Sequence, residues 1–196
     1  MDFKSTLSLN ADLLRETFLA AVAGWPTGEI VVRVRWSRGA DFSGSCVYAT
    51  HRIHVNLGRH VRYPYQMQTY CARPRKAWGR TYKPISVLEL ADGYQVCLFI
   101  FLHEFYHWLV KKAGRNVSQK ESMCDRFATR VLVDDYGCQL RDSGGRALPR
   151  EHWDFQNLDG FVAAAKRPPR PARAARPRAA RQARPLLDGG QFLLFR

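Results

Sequence analysis

Apolar side chains recur at helical spacing over residues 10–23, where Leu13, Leu14, Phe18, Leu19 and Val22 share one side, and Gly24 with Pro26 supplies a stop. An opening amphipathic helix is predicted there. The period then changes to two: Ile30, Val32, Val34 and Trp36 alternate with Glu29, Val31, Arg33 and Arg35, and residues 51–57 repeat the pattern with Ile53, Val55 and Leu57 on one side. These are two half-buried strands, with residues 39–44 read as a loop or turn between them. Residues 85–90 read as a short strand or a helix entry. Asp92 with Gln95 forms a capping-box pattern ahead of a long apolar helix over 92–113, which Gly114 ends. A second helix is predicted over 118–135, with Phe127, Val131 and Leu132 on its buried side and Gly137 past its end. Ser143, Gly144 and Gly145 mark a loop, and 152–165 a short closing helix.

The stretch 58–83 has no clean period. Arg59, Arg62, Arg73, Arg75, Lys76 and Arg80 are interleaved with Tyr63, Tyr65, Tyr70, Trp78 and Tyr82. It reads as a long loop over the face of the site, or as a loop hiding a short helix over 65–72. Such a mixture suits a nucleic acid or a peptide, and equally an irregular surface whose aromatics pack locally.

Few strands and several helices give an α+β class, and 196 residues with 46% hydrophobic content suffice for one domain with a core. The net charge of +14 is uneven, because nine of the 31 basic residues lie in 166–196 against the single acid Asp188. Three parts are therefore expected: a domain over 1–165, a basic Arg/Pro/Ala-rich tail over 166–185 that is disordered in isolation, and a short apolar segment over 186–196. Arg167, Arg170, Arg173, Arg176, Arg178, Arg181 and Arg184 in the tail would give salt-sensitive, sequence-independent attachment to DNA or RNA, against the plainer reading of a solvated tail.

Five cysteines without a C-x-x-C pair fit neither a disulfide framework nor a cysteine-rich metal knuckle, and point to a reducing, cytoplasmic setting. No secretory signal is convincing, and the longest apolar run, 96–102, falls far short of the roughly 20 residues of a membrane span. A soluble protein without membrane association is expected.

Inside the long helix, His103-Glu104-Phe105-Tyr106-His107 is an H-E-x-x-H motif. Four residues apart, the two imidazoles project from one helical face and can share a divalent ion, while Glu104 addresses a water there as general base. Catalytic zinc takes three protein ligands, so the chain must supply another. Glu121, on a following helix that would return antiparallel, is the favoured third ligand, with Asp125 one turn on supporting a histidine. Ser118-Gln119-Lys120-Glu121 is also a capping box, in which Glu121 would only bond its own helix start. The local sequence leaves both open, and the upstream motif favours ligation. His51, His54 and His60 lack partners at ligand spacing and are read as strand and loop histidines. Tyr136, or a Tyr or Arg of the 58–83 segment, is a candidate oxyanion stabiliser.

Glu121-Ser122-Met123-Cys124-Asp125-Arg126-Phe127-Ala128, followed by Val131-Leu132-Val133, resembles the E-x-x-A-N-x-F-A segment that follows H-E-x-x-H in ImmA/IrrE-type metallopeptidases. Cys124 stands for the usual Ala, Asp125 for the usual Asn, and the Pro that often closes the segment is missing. The resemblance covers roughly residues 85–135, and the strand carrying Ile53 is a vaguer fit to the edge strand on which such enzymes lay a peptide. SprT-like metalloproteases share the motif, but their additional His has no clear counterpart here. The resemblance implies a zincin-like α+β fold, Zn2+ held by His103, His107 and Glu121, and hydrolysis of a protein or peptide substrate. The alternatives are a non-catalytic nucleic-acid-binding protein that keeps the fold, and a zinc-stabilised interaction module.

Overall fold

The computed structural model describes residues 1–77 and 79–166. The expectations for the basic tail and for 186–196 lie outside the described residues.

A four-stranded sheet holds one side of the molecule. Strand β1 (Asp2–Ser5) precedes helix α1 (Ala11–Ala21), and β2 (Val31–Trp36), β3 (Phe42–Val47) and β4 (Arg52–Leu57) follow, in the spatial order β1-β2-β4-β3. The first three in that order run parallel, and β3 returns antiparallel to β4 as an edge. Val32, Val34, Ile53 and Val55 are fully buried on the face that receives the helices, so the alternation seen in the sequence is the alternation of the sheet. Helix α1 is capped by Asn10, whose side chain accepts from the amides of Asp12 and Leu13, and it buries Leu14 and Phe18.

Residues 39–47 differ from expectation. The loop is short, and Phe42 to Val47 form a strand in full register with β4, from Phe42 opposite Leu57 to Val47 opposite Arg52. Ser, Gly, Ser and Cys are weak strand formers, and pairing to β4 rather than propensity makes this strand. The 58–83 segment also departs from the reading of a loop or short helix. Residues 65–72 hold strand β5 (Tyr65–Thr69), which pairs antiparallel with β8 (Ser86–Leu90), while β6 (Arg75–Ala77) and β7 (Arg80–Tyr82) form a hairpin. Met67 and Thr69 point into the core while Gln66 and Gln68 are exposed, a short period-two pattern.

Helix α2 (Gly93–Lys112) runs through the middle of the molecule. It is apolar nearly all round, as a helix packed on several sides must be, and Phe101 stacks on Phe18 of α1 at 4.3 Å. Asp92 caps it by accepting from the Gln95 amide, while the Gln95 side chain accepts from the Ala91 amide, one residue before the cap. Helix α3 (Glu121–Tyr136) packs against α2 and ends at Gly137, whose left-handed backbone lets the following amide of Cys138 reach the Leu132 carbonyl. Ser118 does not open this helix: Gln119 is left-handed, Lys120 occupies the cap without a side-chain bond, and Glu121 is the first helical residue. The capping box is not formed, which frees the Glu121 side chain. Val131 is only half-buried, and Phe127, Ala128 and Thr129 take the inner side with Leu132. Strand β9 (Leu140–Asp142) pairs with β8, and the closing segment is a 3-10 turn (Arg150–His152), a short helix α4 (Leu158–Val162) and a final 3-10 turn (Ala163–Lys166). Mixed sheets packed against α2 and α3 make this an α+β fold, and no helix of the described residues is long and apolar enough to cross a membrane.

Candidate metal centre

Helical spacing on α2 sets His103 and His107 one turn apart, with ring centroids 5.0 Å from each other. The first turn of α3 meets them. His103 Nε2 lies 3.2 Å from one oxygen of Glu121, and His107 Nε2 lies 3.3 Å from the other. Two donors bound to one zinc at 2.0–2.1 Å and at the tetrahedral angle stand about 3.3–3.4 Å apart, so these pairs have the separation of neighbouring zinc ligands. Cys124, one turn along α3 from Glu121, is fully buried and offers a further donor. His103, His107 and Cys124 have ligand atoms within 4.8 Å of one another, and this group could hold a metal ion. Two imidazoles, a carboxylate and a thiol are a donor set that suits zinc.

The two histidines are held differently. Asp125 Oδ1 accepts from His103 Nδ1–H at 2.9 Å, and its other oxygen accepts from the Tyr70 amide at 2.8 Å. One buried carboxylate thus orients the ligand ring and ties α3 to the end of β5. Arg126 strengthens that tie by donating to the Cys71 carbonyl at 2.9 Å. By contrast, His107 Nδ1 is buried without a hydrogen-bond partner.

The charges follow from these contacts. Burial works against a proton on His103, but the hydrogen bonds to Asp125 and Glu121 and the nearby carboxylates outweigh it and raise the imidazole to about 9. Burial, then the charge of His103, pushes His107 down, with Glu121 opposing. The hydrogen bond from His103 is foremost in lowering Glu121 to about 2. Burial, with Glu121, Asp125 and Glu104 adding, pushes the Cys124 thiol up. For Glu104, burial leads and the charge of Glu121 adds, against His103, so its carboxyl rises to about 7.

His103, Glu104, Glu121 and Asp125 line a cleft of about 270 Å³ whose other walls include Phe42, Gly44, Met67, Tyr70, Phe99 and Ile100. Glu104 lies directly beneath the edge strand. A Cβ added at Gly44 would stand 2.6 Å from Glu104 Oε1 and 2.8 Å from the Ile100 side chain, so only glycine permits this approach.

The five residues expected from the sequence, His103, Glu104, His107, Glu121 and Asp125, thus come together. Cys124 was noticed in the sequence only as a substitution, although its place one turn from Glu121 on the same helix was the available signal. Gly44 carried none, because its role comes from strand pairing across the chain. Tyr136 is not at the cleft: it sits at the far end of α3, lining a separate hollow with Leu13, Tyr94 and Leu98. Tyr70 is the tyrosine of the 58–83 segment that lines the cleft. His51 accepts a hydrogen bond from Trp108 Nε1 at 3.0 Å, and His54 bonds Arg35 at 2.9 Å, so both act within the fold. All five cysteines are free thiols. No family model, no curated protein and no solved structure matches the chain.

Proposed function

We propose that the chain is a zinc-dependent metallopeptidase of zincin-like fold that hydrolyses peptide bonds of a protein substrate, with Glu104 as general base. The observation that carries this reading is the convergence of the His103 and His107 Nε2 atoms on the two oxygens of Glu121 at 3.2 and 3.3 Å, with Glu104 beside them in the same cleft. His103, His107 and Glu121 would hold the metal. When bound, zinc would polarise the scissile carbonyl and make water acidic enough to lose a proton near neutral pH.

Glu104 suits the base because a carboxylate tuned to about 7 can accept a proton from water and return it to the leaving amine nitrogen at physiological pH. Asp125 holds the His103 ring through Nδ1, so Nε2 is the atom that would ligate once it gives up its proton. The free edge of β3 offers unpaired backbone groups on which an extended peptide can add as a further strand. Phe42, Met67, Phe99 and Ile100 would receive an apolar side chain of that peptide.

A second reading rests on Cys124, whose sulfur lies within 4.8 Å of both histidine donors. If it binds along with Glu121, four protein ligands close the site and the metal is structural. Glu121 is preferred as the third ligand because its two oxygens meet both histidine nitrogens and it is 63% exposed, so the site keeps an open side. Metal analysis of the purified parent and of Glu121→Ala and Cys124→Ser variants tests this. The expected result is one zinc in the parent, retained in Cys124→Ser and lost or greatly weakened in Glu121→Ala. The reverse pattern, or a parent that takes up no divalent ion, would sink the proposal.

A further inference from the structure

Helices α1 and α2 cover one face of the four-stranded sheet, and the opposite face is strongly basic. Across the hydrogen-bonded strands Lys4 lies beside Arg33 and Arg33 beside His54; Val31 lies beside Arg52; and Arg35 lies beside Asn56, which faces Ser43. Lys4, Arg35 and Arg52 are exposed, as are Arg38 and Arg59 just past the strand ends. Asp2 is the single carboxylate in the four strands, and it is engaged by Arg33 at 2.7 Å. Like charges on neighbouring strands destabilise a sheet, so the row of Lys4 and Arg33, with Arg35 and Arg52 alongside, is kept at a cost in stability. The field is felt by His54, which burial and then the charges of Arg35, Arg52 and Arg33 hold below the usual histidine range.

At one end the face opens into a polar hollow of about 610 Å³, walled by Thr6, Arg35, Ser37, Arg38, Ser43 and Asn56 among others. Guanidinium forks match phosphates, and hydroxyl and amide groups can hydrogen-bond the edge of a base. A duplex keeps its bases stacked and paired, whereas a single strand can lay its backbone across an open sheet and turn one base into a hollow. An acidic protein segment would use the guanidinium groups and leave the hollow unexplained.

We propose that this sheet face is a binding surface for single-stranded nucleic acid, with Lys4, Arg35 and Arg52 on phosphates and one unpaired base in the hollow beside Arg38 and Asn56. The surface is separate from the metal centre, and none of its residues belongs to the C-terminal tail. It therefore stands whether or not the peptidase reading holds.

The test is fluorescence anisotropy of the full chain with a labelled oligothymidylate of about 20 nucleotides, titrated between about 50 and 200 mM salt. To remove the contribution of the tail, Arg167, Arg170, Arg173, Arg176, Arg178, Arg181 and Arg184 are changed to Ser in the background. That background should still bind. Adding Arg35→Ser with Arg52→Ser should weaken binding at least about tenfold and reduce the slope of log affinity against log salt by about 1.4, two phosphate contacts' worth for a single strand. Arg35→Lys with Arg52→Lys should restore it. Lys4→Ser with Arg38→Ser serves as a second pair should the first not fold. A background that does not bind, a serine pair that folds and binds like its background, or equal affinity for a duplex of the same length would overturn the proposal. Glu104→Gln should bind the oligonucleotide as the parent does.

Discussion

Helix α2 and strand β3 face each other across the cleft, and they are opposites. The helix is apolar and buried for most of its length, and the histidines and charged residues of its middle are His103, Glu104 and His107 at the candidate metal centre. The strand is Phe-Ser-Gly-Ser-Cys-Val, exposed for most of its length and paired on one side only. The helix can hold its donors still because close packing locks it. The strand is an edge, so the backbone groups on its outer side are open to pairing. The two histidines sit on the element that packing holds still, and the backbone groups open to pairing sit on the element that is half unpaired.

The largest effect expected from breaking this pairing is at Glu104. Glu104→Gln preserves shape and removes the base, so hydrolysis of a peptide library, read by mass spectrometry, should fall by about 10²–10⁴-fold with zinc content unchanged. Cleavage at the parent rate would show that the carboxylate under β3 does no proton transfer.

Next comes Gly44, on the strand side of the same contact. Gly44→Ala places a methyl group 2.6 Å from Glu104 Oε1, and the carboxylate must shift. Displacement of a reacting group by about 1 Å costs on the order of 10²-fold, so activity should drop by about that factor with metal binding near parental, while the 2.8 Å approach to Ile100 lowers stability by about 1–3 kcal/mol. If activity survives while stability collapses, Gly44 serves packing alone.

These two residues also mark what could be read from the chain. The motif helix, the meeting of Glu121 with the two histidines and the bond from His103 to Asp125 were legible because helical spacing converts sequence distance into position within one or two turns. The strands around Val32 and Ile53 were legible because one buried face imposes alternation. Strand β3 was not, since its middle, Ser43-Gly44-Ser45, carries no apolar alternation and owes its extended form to pairing with β4 rather than to its own pattern. Strand β5 went unread for a different reason: its alternation is carried by Met67 and Thr69 against two glutamines, too short to stand out among the basic and aromatic residues around it. The capping box misled because Ser118 and Glu121 have the right spacing, but a left-handed Gln119 places the helix start three residues later.

Asp125 joins the two sides of the comparison, since it bonds the helix through His103 and the cleft wall through the Tyr70 amide. Asp125→Ala should weaken zinc affinity by about 10–100-fold, the usual loss when a group that orients a ligand is removed. Competition with a chromogenic chelator measures it. An unchanged affinity would mean that close packing on α2 alone fixes the ring.

The smallest effect separates neighbouring positions of β3. Residues along a strand face opposite ways, so Gly44 shares the Glu104 side with Phe42 and Cys46, while Ser45 stands opposite His54 on the outer face. Threonine is the better strand former, and at an exposed edge the gain is under about 1 kcal/mol. Ser45→Thr should therefore raise the denaturant midpoint slightly and leave hydrolysis as it was, where Gly44→Ala, one residue away, reduces hydrolysis and lowers the midpoint. If Ser45→Thr impaired hydrolysis as strongly, the register of β3 against β4 would be too loose to aim one face at the cleft, and the fit of Gly44 over Glu104 could not be what positions the base.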